Sequence, residues 1–182
     1  FVLWERRTDE PMLDMSFFRA PAFSTGVGGM ILIFLSMFGV MFMVTQYFQL
    51  VLGYSPLNAS LRFLPMTPIM IVVGLQTPKL TPRIGANRTV ATGMLFVSAG
   101  MMSLLMLSTR SNFWVTFLCF ILMGSGMALS SGPMTAAIMG AVPPRRAGAG
   151  SATNDATREL GAALGVAVLG SIAASYYGSH VK

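Results

Sequence analysis

Five polar residues along one stretch, Ser151, Asn154, Asp155, Arg158 and Glu159, have the types and spacing for proton or ion chemistry. In a helix, positions 151, 155 and 159 stack at i, i+4 and i+8, with 154 and 158 on the adjoining row, so they form one polar stripe. A carboxylate there, partly drawn out of water, could take up and release a proton near neutral pH, which would suit ion coupling. The alternative is structural: acids in a first helical turn complement the helix dipole, and Arg158 can pair with Asp155 at i−3. A second group is Thr45, Gln46, Tyr47 and Gln49, in which Gln46 and Gln49 lie three apart on one helical face. These amides either contact a small molecule in a cavity or meet headgroups and water at an interface. Enzyme signals are nearly absent. One His (His180) and one Cys (Cys119) leave no metal cluster and no Cys/His pair. Gly124-Ser125-Gly126 lacks the preceding strand and the following Lys of a phosphate loop, and Cys119 sits in an apolar run where packing accounts for it. The residues imply no catalysis, no metal and no cofactor.

Composition decides what must position these groups. Of 182 residues, 54% are apolar and only 10% charged, whereas a soluble domain carries about 25% charged residues to hydrate its surface. The net charge is +6, but the basic residues are scattered in ones and twos between apolar runs rather than gathered on one face, which argues against nucleic acid as a partner. The lipid bilayer is the implied surrounding. A span needs about 20 apolar residues, and the uncharged run from 20 to 61 is too long for one. Gly53-Tyr54-Ser55-Pro56 divides it, since Gly suits the position after a helix, Ser an N-cap and Pro a first turn. The predicted helices are 22–51, 57–76, 89–108, 113–141 and 147–177, giving an all-α, polytopic bundle of about five spans over 21–179. Residues 1–20 form a lead-in and 180–182 an end. The segment 77–88, with Pro78, Pro82, Gly85 and three cations, reads as a loop, and 109–112 as a short turn. Arg62, early in the second helix, is expected to snorkel to the interface.

Segments 1–20, 77–88 and 143–160 hold Arg6, Arg7, Arg19, Lys79, Arg83, Arg88, Arg145, Arg146 and Arg158, against Arg62, Arg110 and Lys182 elsewhere. The excess puts the start of the chain in the cytoplasm of a plasma (inner) membrane protein and its end outside. The four tyrosines and Trp114 fall near the predicted outer interface, as an aromatic belt would. Phe1 in place of Met, and open ends on both sides, suggest a piece of a longer protein. Gly161 and Gly165 form a GxxxG pattern, and Gly124, Gly126 and Gly132-Pro133 lie in the fourth helix; both sets predict close helix contact, the last also a bend. Sixteen Met residues could line an adaptable cavity or face lipid and neighbouring helices.

Several segments together resemble one family. FGVMFMVTQYFQLVLGYSPLNASLRFLPM, residues 38 to 66, is similar to the seventh and eighth core helices of drug:proton antiporters of the major facilitator superfamily, in the branch of about fourteen spans. PKLTPRIGANR, 78 to 88, stands where that superfamily has a cytoplasmic Gly-x-Leu-Ala-Asp-Arg-x-Gly-Arg loop. Leu80, Arg83 and Gly85 fit, while Pro78 and Pro82 replace the first Gly and the Asp. Residues 11 to 23, 124 to 143 and 147 to 172 resemble that branch's approach to its seventh core helix, its penultimate core helices and the loop between them. The resemblance implies a carrier of two pseudo-symmetric bundles that exposes a midplane site alternately to each side. This chain would be most of the C-terminal bundle, and the N-terminal bundle its missing partner. It implies proton-coupled efflux of drugs or other small amphipathic compounds, with Gln46, Tyr47 and Gln49 facing substrate and Asp155, Glu159 and Arg158 as proton-coupling candidates. The fourth and last helices would slide along their Gly-rich faces as the carrier rocks. Alone, the chain is not expected to transport. A non-transporting membrane subunit or scaffold fits the composition too, and a membrane-embedded enzyme is disfavoured by the nearly His-free sequence.

Overall fold

The structure, a computed structural model, describes residues 15–106 and 113–180. The expectations for 1–14, for the 109–112 turn and for the last two residues lie outside them. Every described element is helical, and five helices are long and apolar enough to cross a membrane. A 3₁₀ turn at Met15–Arg19 leads into α1, Pro21–Gln46, which starts on a proline where no N–H is needed. Its far end widens into a π-turn, Tyr47–Val51, closed by Leu52 N–H to Tyr47 O at 3.1 Å. Gly53, at φ +67°, turns the chain, and Ser55 caps the short α2, Pro56–Leu61, by accepting from Asn58 N–H at 3.3 Å. Then follow α3, Met66–Ile84; α4, Ala86–Ser103; α5, Phe113–Gly140; and α6, Ala147–His180.

Lipid tails are as apolar as leucine, so helices in a bilayer associate through close packing at small residues. The fold obeys this at two seams. At the first, α6 lies on α1: a Cβ on Gly161 would stand 2.7 Å from Ile31 O, and one on Gly165 would meet Leu35 O. Gly39 of α1 answers from the other side, against Gly165 O and Leu169. At the second, Gly93 and Gly100 of α4 approach Gly126 and Met123 of α5. α5 is central, with α4, α3 and α1 around it, and α6 is carried mainly by α1. The Gly-rich faces of α5 and α6 therefore meet α4 and α1 respectively rather than each other. Gly132 has open space around it. Two apolar clusters fill the bundle, one around Phe23, Met30 and Ile138 and one around Phe48, Phe120 and Met123, with Cys119 fully buried in the second.

The second span departs from expectation at both ends. It is interrupted at 62–65, where the backbone makes i→i−3 bonds (Phe63 N–H to Ser60 O, 3.1 Å) ahead of Pro65, which has no N–H for the ladder. Beyond that, α3 runs on through Pro78 and Pro82 to Ile84, so the loop expected at 77–88 is helix. Each proline removes only one ladder bond, and the hydroxyls of Thr77 and Thr81 add bonds to Val73 O (2.9 Å) and Thr77 O (2.8 Å) around the gap. What stops α3 is Gly85, at φ +88° and ψ 148°, which only glycine adopts without strain. Gly85→Ala, with open space around its Cβ, isolates that backbone term and should cost about 1–3 kcal/mol. Thermal unfolding of the purified protein checks it; an unchanged midpoint would place the stop elsewhere.

Candidate functional site

Where α1, the broken second span and α5 converge, the bundle forms a half-open cavity of about 210 Å³. Five methionines line it: Met37 and Met41 from α1, Met66 and Met70 from α3, and Met123 from α5. Phe63 and Phe120 add an aromatic wall with rings 4.8 Å apart, and Thr67 brings the single hydroxyl. Gly124 makes the space, since a Cβ there would lie 3.1 Å from Met66 Cγ and 3.3 Å from Met70 Cγ. Thioether side chains are unbranched and polarisable, so such a wall adapts to ligands of different shape. Chemically the cavity can hold an apolar or aromatic body and supply little directional bonding. The sequence contained the signal as methionine number alone. Methionines facing lipid look the same, so the five could not be singled out.

The amide group divides. Gln46 and Tyr47 line a separate groove of about 420 Å³ between the far end of α1 and Gly170, Ala173 and Ala174 of α6. Gln49 does not line it. The π-turn begins at Tyr47, and its wider backbone carries Gln49 out of the α-helical register that put it beside Gln46.

The polar stripe of α6 divides too. Asn154 is buried, while Asp155 and Glu159 are exposed. Arg158 turns inward: its Nη2 donates to Thr135 Oγ1 of α5 at 3.1 Å, and that hydroxyl donates to Asn154 Oδ1 at 3.3 Å. The guanidinium also lies 5.7 Å from the ring centre of Phe34 on α1. So Arg158 does not pair with Asp155, because the hydroxyl and ring of neighbouring helices offer it a less hydrated seat than an exposed carboxylate on its own turn. Spacing within α6 could not reveal Thr135, which arrives from another helix. Of the loop-motif residues, Leu80 is half-buried on α3, Arg83 exposed in its last turn, and Gly85 its stop. Arg62, half-buried, sits among aromatic rings. Its guanidinium lies 4.1 Å from the ring centre of Tyr54, with Phe113 and Phe48 at 5.3 and 6.0 Å, because a weakly hydrated planar cation stacks well on rings. Among the described residues no group of His, Cys, Asp and Glu is placed to hold a metal ion.

Comparison with known proteins adds an independent line. The family described as Major Facilitator Superfamily matches residues 5–166. The chain is 32% identical over 181 residues to the multidrug efflux pump LfrA of Mycolicibacterium smegmatis, which covers 100% of this chain and 36% of that protein. Multidrug resistance protein Stp of Mycobacterium tuberculosis is 34% identical over 182 residues, covering 100% and 34%. The tetracenomycin C resistance and export protein of Streptomyces glaucescens is 33% identical over 178 residues, covering 98% and 33%. The chain thus spans about a third of the length of these relatives.

Proposed function

The chain belongs to the major facilitator superfamily, and on that footing we propose that it forms part of the C-terminal bundle of a proton-coupled exporter of small amphipathic compounds, in the fourteen-span branch. The observation that carries the reading is the methionine-lined cavity between α1, the broken second span and α5. Its apolar wall suits ligands that share lipophilicity rather than a functional group, and relatives named for multidrug resistance and efflux accord with that. Gln46 and Tyr47, in the groove beside α6, are a second substrate-facing set at the same end of α1. Asp155 and Glu159 are the acids proposed to carry protons, and Arg158 holds a fixed charge one helical face away. The lead-in would face the cytoplasm and the end of α6 the outside. Transport would require the N-terminal bundle, with the two bundles rocking around a midplane site.

The test uses the complete transporter in a drug-sensitive bacterial host. Met37→Ala combined with Met70→Ala should raise the concentration of a lipophilic cationic dye needed for half-maximal efflux by roughly threefold to tenfold, as expected for lost apolar contacts. Leu105→Ala, at a side chain 83% exposed and away from the cavity, should not. Equal dye concentrations for all three proteins would remove the cavity from the substrate path.

A further inference from the structure

Two irregular stretches of backbone lie beside the aromatic wall of the cavity, one contributing Phe63 to it and the other reaching it through the contact of Phe48 with Phe63. They are, respectively, the i→i−3 turn at 62–65 that joins α2 to α3 and the π-turn, Tyr47–Val51. Mid-span 3₁₀ and π segments have weaker hydrogen bonding than α-helix and recur at hinges. A single side chain ties these pieces together. The guanidinium of Arg62 lies against Tyr54 beyond the π-turn, Phe48 within it, and Phe113, the first residue of α5. Phe48 in turn touches Phe63 (ring centres 6.0 Å apart), and Phe63 touches Phe120; the last two are walls of the cavity.

We propose that Arg62 is a positioning residue of the transport cycle: it latches the α1–α2 turn and the broken second span to the start of α5, closing the methionine cavity at its aromatic wall. The proposal rests on the transporter reading above, but not on which side of the membrane that wall faces. Two opposed effects make the latch releasable. Stacking on three ring faces holds the cation in place. Yet Arg62 Nε is buried with no hydrogen-bond acceptor, a penalty of similar size that water relieves as soon as the turn lifts. The closed arrangement is therefore held lightly, and the segment between the two irregular turns, Pro56–Leu61, is short enough to move as one piece. Lysine at this position would keep a charge over the rings but lose the planar stacking.

The experiment uses the complete transporter with Thr67→Cys as its reporter, since Thr67 lines the cavity. A membrane-impermeant maleimide is applied to right-side-out and to inside-out vesicles, and the modified peptide is quantified by mass spectrometry. Arg62→Gln should speed labelling of that cysteine about tenfold from one vesicle face and leave the other unchanged, and Arg62→Lys should fall between Gln and Arg. Tyr54→Leu and Phe113→Leu, which remove ring faces and keep the cation, should act in the same direction, so the outcome does not hang on one variant folding. Unchanged labelling in the ring variants, or faster labelling from both faces alike, would overturn the latch; the second result would mark Arg62 as a structural residue only. The readout needs no transport. If the carrier moves no dye but labelling still depends on Arg62 from one face, the functional reading fails and the latch stands.

Discussion

Gly165→Leu should leave little or no folded protein. Its effect is expected to exceed that of any other single change considered for this bundle. A Cβ at Gly165 would land on Leu35 O, with Gly39 N and Leu35 C each 3.0 Å away. All three are backbone atoms in the middle of α1, so no rotamer change can clear the way. Inserting bulk into a packed interface costs about 1–3 kcal/mol where side chains can yield, and more where they cannot. The seam is doubled, because Gly39 presents the same geometry in return, against Gly165 O and Leu169. Separating α1 from α6 would leave α6 without its principal partner, since its contact with α5 is slight. Even Gly165→Ala should lower the thermal midpoint of the detergent-purified protein by many degrees. Gly28→Ala is the matched control: it lies on α1, nothing stands within 4 Å of its Cβ, and alanine improves helix propensity. Equal midpoints for Gly165→Ala and Gly28→Ala would show that the close approach does not hold the helices together.

The contrast between Gly165 and Gly132 also shows what a sequence can carry. A four-residue spacing of small residues marks a face, so Gly161 and Gly165 were legible as a packing stripe. Their partner was not, because Ile31, Leu35 and Gly39 lie more than a hundred residues away and present nothing distinctive beyond one more glycine. Gly132 looked equivalent and faces open space. The membrane class, the all-helical fold and the turn chemistry of Gly53, Ser55 and Pro56 follow from composition and local stereochemistry, which act over a few residues. Proline misled at 77–88 because each proline removes one ladder bond without ending the helix, while the hydroxyls of Thr77 and Thr81 add bonds beside the gaps and only Gly85 stops the chain. The site was least legible of all. Its cavity wall is methionine, which carries no signature, and its two half-buried guanidinium seats draw on separate parts of the chain: rings of the π-turn, the following turn and α5 for Arg62, and a ring of α1 and a hydroxyl of α5 for Arg158.

Of those two seats, the one at Arg158 supports the second large prediction. Thr135→Val keeps the shape of the side chain and removes the hydroxyl that sits between Arg158 Nη2 and Asn154 Oδ1. Both groups then lose that partner at once, and Arg158 Nε is already buried without an acceptor. An orphaned buried group costs about 1–3 kcal/mol, more when it is charged. The single substitution should therefore destabilise the bundle by roughly 2–6 kcal/mol, an estimate that sums the two orphaned groups. Arg158→Met behaves differently, because it withdraws the charge together with its need for a partner and leaves an apolar chain beside Phe34. Combined with Thr135→Val, it should recover a large part of the lost stability, which makes the pair strongly non-additive. Denaturant titration of the four proteins of that cycle measures the coupling directly. If Thr135→Val and Arg158→Met simply add, the hydroxyl is not what seats the guanidinium. Strong coupling would instead mean that Arg158 is fixed by α5, so that any shift between α5 and α6 must first break this bond.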